Sequence, residues 1–241
     1  MRIEYEDNEI IVVYKEAGLP VQSGRTSGRD LVSLLKNHLA QKNQAAGQEQ
    51  AGQNKEPYLG IVHRLDQPVE GLLVFAKTPK AAADLSRQAA AKSSEQGRGA
   101  QQAMEKVYRA AVLLSGDSFP LALEGRKREI TLTDWILRDY SNNTSLVVEE
   151  GARDAKQAQL AFRTLEVRDG RALVEIRLYT GRHHQIRVQM AHAGMPLVGD
   201  RKYGNASGED RRLCLCAARL CFRHPKNGRR MEFTTEPSFA I

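Results

Sequence analysis

The stretch HRLDQPVEG, residues 63–71, sets a carboxylate, Asp66, beside Arg64 and His63 and ahead of Pro68 and Gly71. Asp, Pro and Gly are ordinary turn residues: Asp bonds its own backbone, Pro presets φ, and Gly takes positive φ. A turn is therefore one reading. The other is chemical. An Asp near a positioned Arg stays ionised and oriented, and a buried anion paired in that way could act as a nucleophile or a base.

A second charged segment, LYTGRHHQIRVQMAHAGMPLVGDRKYG at residues 178–204, holds Arg182, His183, His184, Arg187, His192, Asp200 and Lys202. Taken alone it reads as a basic surface helix with its loop. The spacings do not suit a metal. Adjacent His183 and His184 would point about 100° apart on a helix, and His184 and His192 would lie two turns from each other, so zinc ligation is not expected. Cys214, Cys216 and Cys221 follow CxCx4C, which is no standard ligand spacing, and read as buried thiols. The chain contains no GxSxG, HExxH or Walker loop. Tyr108, in EKVYRAA, begins a strand with its ring available, and it reads equally as a core or sheet-surface residue.

Elements must bring these residues together. Ile10 to Tyr14 is a β-branched run and predicts a strand. Leu31, Leu34, Leu35 and Leu39 repeat at helical spacing. That helix decays into residues 41–56, a tract without a large apolar residue, expected to be a mobile surface loop. LLVFAK, after Gly71, predicts a buried strand. Pro79 suits the first turn of a helix over Ala81 to Lys92, ended by Gly97 and Gly99. Strands are predicted over Val107–Leu114, Ile130–Leu137, Thr144–Val148, Leu160–Val167 and Ala172–Tyr179. The alternation of Val174, Ile176 and Leu178 with Glu175 and Arg177 leaves one face of an antiparallel sheet in water. Gly181 breaks the last of these strands. A helix fits Gln185 to Ala193, with Ile186 and Met190 on one face and Gly194 as its C-terminal cap, and LCLCAARLCF and RRMEFTT supply the final strands. Many strands, few helices and no βαβ rhythm predict an α+β fold, a mixed, largely antiparallel sheet flanked by helices. With no repeat and no linker visible, residues 1–241 read as a single domain.

The 241 residues can bury a sizeable core. Lys and Arg number 36 against 29 Asp and Glu, a net charge of +7, and the isoelectric point is near 9.4. Such a surplus favours a polyanion, nucleic acid first and an acidic membrane second. No apolar run approaches the roughly 20 residues of a membrane helix, and the acidic start MRIEYEDNEI is unlike a signal peptide. Three cysteines indicate no disulfide framework, so a reducing cytoplasm is the expected home.

Together these segments resemble the RluA-type pseudouridine synthases. IVHRLDQPVEGLLVFAKT resembles their signature HRLDxxTSGLLLxAK, and TGRHHQIRVQMAHAGMPLVGDRKYG resembles GRxHQIRxHxxxxGxPIxGDxxYG. EDNEIIVVYKEAGLPV, EKVYRAAV and LCLCAARLCFRHPKNGRRMEFTTEPSF are similar to three further motifs, in the same order, from about Arg2 to Pro237. The departures are Val69-Glu70 in place of Thr-Ser, Glu16 in place of Pro, and Gln189 where His is common. The match begins directly in the catalytic domain, so the S4 module that the family often carries at its N-terminus is not expected here.

The resemblance implies isomerisation of uridine to pseudouridine in ribosomal or transfer RNA, on a central RNA-binding cleft, with neither metal nor cofactor and as a monomer. It implies Asp66 as the essential carboxylate, attacking sugar or base or taking a sugar proton. Arg187 would pair with Asp66 and hold its pKa down, while Ile186 on another helix face packs below. Tyr108 would stack on the flipped base. His63 and Arg64 would lie against the RNA, with Arg64 filling the vacated stack. Arg182, Lys202, Arg211 and Arg212 are candidates for phosphate contact, and a solvated surface accounts for them equally well. A catalytically inactive RNA-binding or ribosome-assembly protein of the same descent is the alternative, raised by Val69-Glu70.

Overall fold

The computed structural model describes every residue except 24–28, 46–55, 92–102, 117 and 205–211. Its strands are β1 (Arg2–Glu6), β2 (Ile10–Lys15), β3 (Gly60–Ile61), β4 (Glu70–Ala76), β5 (Glu105–Leu113), β6 (Ile130–Asp139), β7 (Thr144–Val148), β8 (Lys156–Arg168), β9 (Arg171–Leu178), β10 (Leu215–Arg223) and β11 (Arg230–Thr234). Its helices are α1 (Leu31–Ala45), α2 (Pro79–Ala90), α3 (Ser118–Lys127) and α4 (Gln185–His192). The strands form one sheet in the order β1-β2-β4-β10-β5-β9-β8-β6-β7, with β11 added to β10 and β3 to β4. Every pairing is antiparallel except β4 with β10. The expected mixed, largely antiparallel α+β sheet is therefore the fold.

The sheet centre is buried on both faces because helices cover both. Along β4 every residue from Glu70 to Ala76 is buried. Leu73 and Phe75 join Ile11, Val13 and the α1 residues Leu31 and Leu35 on one side. Leu72 and Val74 join Ile10, Val12, Leu220 and the α2 residue Leu85 on the other. The parallel β4–β10 contact depends on Gly71. At φ +121° it lies 2.5 Å, measured from the position a Cβ would take, from the backbone N and O of Ala217, so no other residue fits without moving a strand.

Helix α2 begins as its sequence dictates. The Thr78 hydroxyl accepts the Ala81 N–H at 3.1 Å, and Pro79 fills the first turn. The expected end at Lys92, with Gly97 and Gly99, lies outside the described residues. The expected loop over 41–56 needs correction, since α1 continues through Ala45. Gln and Lys are adequate helix formers, and the buried Leu35 and Leu39 anchor the preceding turns. Residues 46–55 of that tract lie outside the described residues. Three elements were not foreseen from sequence, the edge strand β1, the two-residue strand β3 and the helix α3, which packs on β8. No helix among the described residues is long and apolar enough to cross a membrane.

Candidate active site

Asp66 lies on the loop between β3 and β4. The loop closes on itself through Val69 N–H to Asp66 O at 3.0 Å, and it is tied to the turn after β2 by Gly18 N–H to Gln67 O at 2.8 Å. Lys15, with no exposed surface, donates from Nζ to the carbonyls of Glu16, Leu19 and Gln67 at 3.1, 2.8 and 3.0 Å. Burial pushes its ammonium down to about 8, against the pull of Asp66 and Glu70. A buried cation with three carbonyl acceptors thus joins the Asp66 loop to the Lys15–Leu19 segment.

The turn that Asp, Pro and Gly suggested does exist, and Asp66 is more than a part of it. Its side chain is one-third exposed and lines a cavity of about 710 Å³. Of the described residues lining that cavity, Asp66 is the sole carboxylate, against Arg64, Lys106, Arg138, Arg182 and Arg187. Tyr108 and Ile186 form part of the wall.

Helix α4 sets the opposite side. Ile186 and Met190 face the core, as their spacing predicts. Arg187 turns to the cavity but is not forked onto Asp66. Its Nε and Nη2 donate to Oδ2 and Oδ1 of Asp200 at 2.8 and 2.6 Å, and only Nη1 faces Asp66, 3.7 Å from Oδ2. Asp200 also accepts the backbone N–H groups of Lys202 and Tyr203. Burial works to raise the Asp200 carboxyl, yet the Arg187 fork and these amides outweigh it and hold it below the ordinary range.

Asp66 shows the reverse balance, which corrects the expectation that Arg187 holds its pKa down. Burial raises it, and the charges of Arg187, His183, Lys15 and Lys202 recover only part of the shift. The physical reason is distance and hydrogen bonding. Among the described residues the nearest N–H groups to the Asp66 carboxylate are His184 Nε2 at 3.5 Å and Arg187 Nη1 at 3.7 Å from Oδ2, both long for a hydrogen bond, so its lost hydration is incompletely replaced. Burial and the Asp66 charge raise the Tyr108 hydroxyl, so that ring keeps its proton.

The other predicted residues divide. Arg64 and Arg182 are exposed at the cavity, and Arg182 Nε also donates to Gln157 O at 3.0 Å. His63 lines the cavity but is engaged with the sheet: its Nε2 accepts the Val74 N–H at 3.3 Å, and burial pushes the ring down to about 3. Lys202 is exposed and bonds Asn143 O at 2.5 Å, away from the cavity lining. Arg212 is half exposed and pairs with Glu70, and Arg211 lies outside the described residues. His183 and His184 are not on a helix, contrary to the premise used for their spacing. They precede α4, with His184 in the left-handed region at φ +53° and the two rings stacked at 3.8 Å.

The departures have defined places. Val69 is buried in the core. Glu70, 1% exposed, accepts from Tyr14 Oη at 2.9 Å, from Ser238 N and Oγ at 2.8 and 2.7 Å, and from Arg212. Gln189 donates to Asp134 Oδ2 at 2.6 Å. All three cysteines are buried free thiols, as expected. The sequence analysis singled out neither Lys15 nor Lys106, although both stand within quoted motifs, nor Arg138, which stands in none.

A family model described as RNA pseudouridylate synthase matches residues 9–192. The chain is 35% identical over 236 residues to an uncharacterized RNA pseudouridine synthase of Bacillus subtilis, YlyB, spanning 96% of this chain and 67% of that protein. It is 32% identical over 246 residues to the ribosomal large subunit pseudouridine synthase D of Zymomonas mobilis, with 98% and 69% covered. In the counterpart from Nitrosomonas europaea, at 33% identity, the chain covers 95% of itself and 59% of the relative. The fold matches human RNA pseudouridylate synthase domain containing 4 with a TM-score of 0.69, at 19% identity over 98% of this chain and 88% of that one.

Proposed function

The chain belongs to the RNA pseudouridylate synthase family, whose reaction isomerises uridine to pseudouridine, and from that premise we propose that Asp66 is the essential carboxylate, acting on a uridine flipped out of ribosomal large-subunit RNA. The observation that carries this reading is the charge pattern of the cavity, where Asp66 is alone among five cations. The similarity to the ribosomal large subunit pseudouridine synthases D of Zymomonas mobilis and Nitrosomonas europaea supports the RNA class.

In the reaction the N1–C1′ bond breaks, the base turns, and a C5–C1′ bond forms. C5 gives up a proton and N1 gains one, so there is no net redox change. Attack on the sugar, attack on the base and removal of a sugar proton all require an ionised carboxylate with a free oxygen. A carboxylate raised above its ordinary pKa is also more basic than a free one. The Asp66 Oδ2 faces Arg187, which leaves Oδ1 for the substrate.

Flipping a uridine from a stem costs a few kcal/mol. Stacking on the protonated Tyr108 ring, worth about 1–3 kcal/mol per base, offsets it. Arg64, exposed at the mouth, can fill the vacated stack, and the net charge of +7 draws in the phosphate backbone.

The inactive-binder reading rests on Val69-Glu70. Val69 is an uncharged, buried part of the cavity wall, and the Glu70 carboxylate is taken up by the Tyr14–Ser238 latch, so neither adds a charge to the cavity, which favours activity. The test is Asp66→Asn. The variant still folds, RNA affinity stays close to wild type and pseudouridine formation ceases; turnover in that variant refutes the role. RNA carrying 5-fluorouridine distinguishes the alternative: an enzyme forms an adduct or hydrated product, whereas a binder releases the RNA unchanged.

A further inference from the structure

A chain of contacts behind Asp66 ends on the same oxygen that Arg187 faces. His184 Nε2 lies 3.5 Å from Asp66 Oδ2. Its Nδ1 lies 2.8 Å from the Tyr203 hydroxyl. That hydroxyl accepts the Ser145 backbone N–H, from strand β7, at 2.7 Å. A phenol has one proton to give. The hydroxyl meets two side chains, His184 Nδ1 at 2.8 Å and the Ser145 hydroxyl, whose own proton goes to the His183 carbonyl. With the phenol proton given to Nδ1, the ring proton sits on Nε2, toward Asp66.

The ring itself is held in place. His184 is 8% exposed, is stacked on His183, and meets the Tyr203 ring edge-on at 5.6 Å between centroids. Ser145 Oγ in turn donates to the His183 carbonyl at 2.8 Å and meets His183 Nδ1 at 3.0 Å. The backbone at His184 is a non-glycine residue at φ +53°, a conformation that surrounding structure must impose. Burial, with Arg187 close by, keeps the imidazole neutral, down at about 3.

We propose that His184 is a positioning residue for Asp66: fixed as the Nε2–H tautomer by Tyr203, it directs that N–H at Oδ2 and, with Arg187, commits this oxygen while Oδ1 is left to the substrate. The inference rests on the reading of Asp66 as the essential carboxylate. It gives strand β7 and the loop after Asp200 a share in setting the Asp66 rotamer, although neither lies against the scissile bond.

The experiment compares kcat, KM and folding on the RNA that the wild type modifies. His184→Leu lowers kcat about ten- to hundredfold, the size of one hydrogen bond to a charged group, with KM unchanged. His184→Gln, whose amide nitrogen replaces Nε2, restores most of that loss. Tyr203→Phe keeps the ring, frees the tautomer, and lowers kcat in the wild-type background; in the His184→Gln background it lowers kcat little, because no tautomer remains to fix. The proposal is overturned if His184→Gln is as poor as His184→Leu, or if Tyr203→Phe costs the same factor in both backgrounds. Asp66→Asn run alongside separates the two readings. An active Asp66→Asn removes the premise, whereas an inactive one beside fully active His184 and Tyr203 variants removes only this inference.

Discussion

Replacing Asp200 by Asn separates the two partners of Arg187. Their side chains are nearly dry, with 6% of Arg187 and 0% of Asp200 exposed. Water cannot take over the lost contacts, so the small values measured for surface pairs do not apply. Removing one member of a buried pair costs about 3–5 kcal/mol. Asp66, 3.7 Å from Nη1, offers the stranded guanidinium a second anion, which places the expected loss near the lower end, about 3 kcal/mol. In a chain of this size each kcal/mol moves the melting midpoint by about 2–4 °C, so the variant melts about 6–12 °C lower at neutral pH. The sign with pH follows from the lowered Asp200 carboxyl: its stabilisation is full above the ordinary value of 3.8 and is lost as pH falls through the folded value. The gap between variant and wild type therefore closes on acidification, which circular dichroism melts at several pH values would follow. A second protein, Arg187→Met with Asp200→Leu, replaces both charges by apolar groups. It regains most of the stability but is inactive, because Asp66 then faces no guanidinium. A midpoint for Asp200→Asn indistinguishable from wild type at neutral pH refutes the reasoning, as does turnover by the double variant.

Asp66 has the opposite linkage. Its folded pKa is raised, so the stability it contributes is full below 3.8 and is lost as pH rises through the folded value; Asp66→Asn is more stable than wild type at neutral pH and equal to it in acid, as read from urea midpoints. Tyr108→Phe retains the stacking face and most activity, whereas Tyr108→Ala slows turnover; wild-type rates for both would make Tyr108 a sheet residue only. Arg64→Ala weakens RNA binding and, if the side chain meets phosphate, reduces the slope of log affinity against log salt by about 1; an unchanged slope assigns Arg64 to stacking alone.

The residues of the site were legible where chemistry and local pattern coincide. Asp66 stands in a motif whose turn the structure reproduces, and the alternation of Val174, Ile176 and Leu178 places β9 with those side chains buried. Ile186 and Met190 faced the core because helical spacing puts them together. What stayed hidden depends on distance in space. Asp200 was visible as one more charge, but nothing local says that its two oxygens take the Arg187 fork. The raised pKa of Asp66 was misread for the same reason: a nearby Arg can be inferred from sequence, whereas the 3.5 and 3.7 Å that keep His184 and Arg187 from closing on the carboxylate cannot. Helix α3 escaped because SFPLALEGRK carries Pro120 and Gly125 and no apolar stripe. Gly125 is there for packing, since a Cβ at that position would stand 2.7 Å from Thr164 Oγ1 on β8.

One guanidinium serving two carboxylates accounts for their different states. Asp200 receives two N–H groups from Arg187 and two from the backbone and is held low. Asp66 receives charge at 3.7 Å without a hydrogen bond and is raised. Paired acids driven apart by their surroundings take different roles in catalysis. Under the proposed function the low one is the structural anion and the raised one keeps the oxygen that reacts. Had the fork closed on Asp66 instead, both of its oxygens would be occupied and its basicity lost. Arginine suits this division better than lysine, because a rigid planar fork can satisfy one carboxylate through Nε and Nη2 while Nη1 still faces another, and a single ammonium cannot hold that geometry.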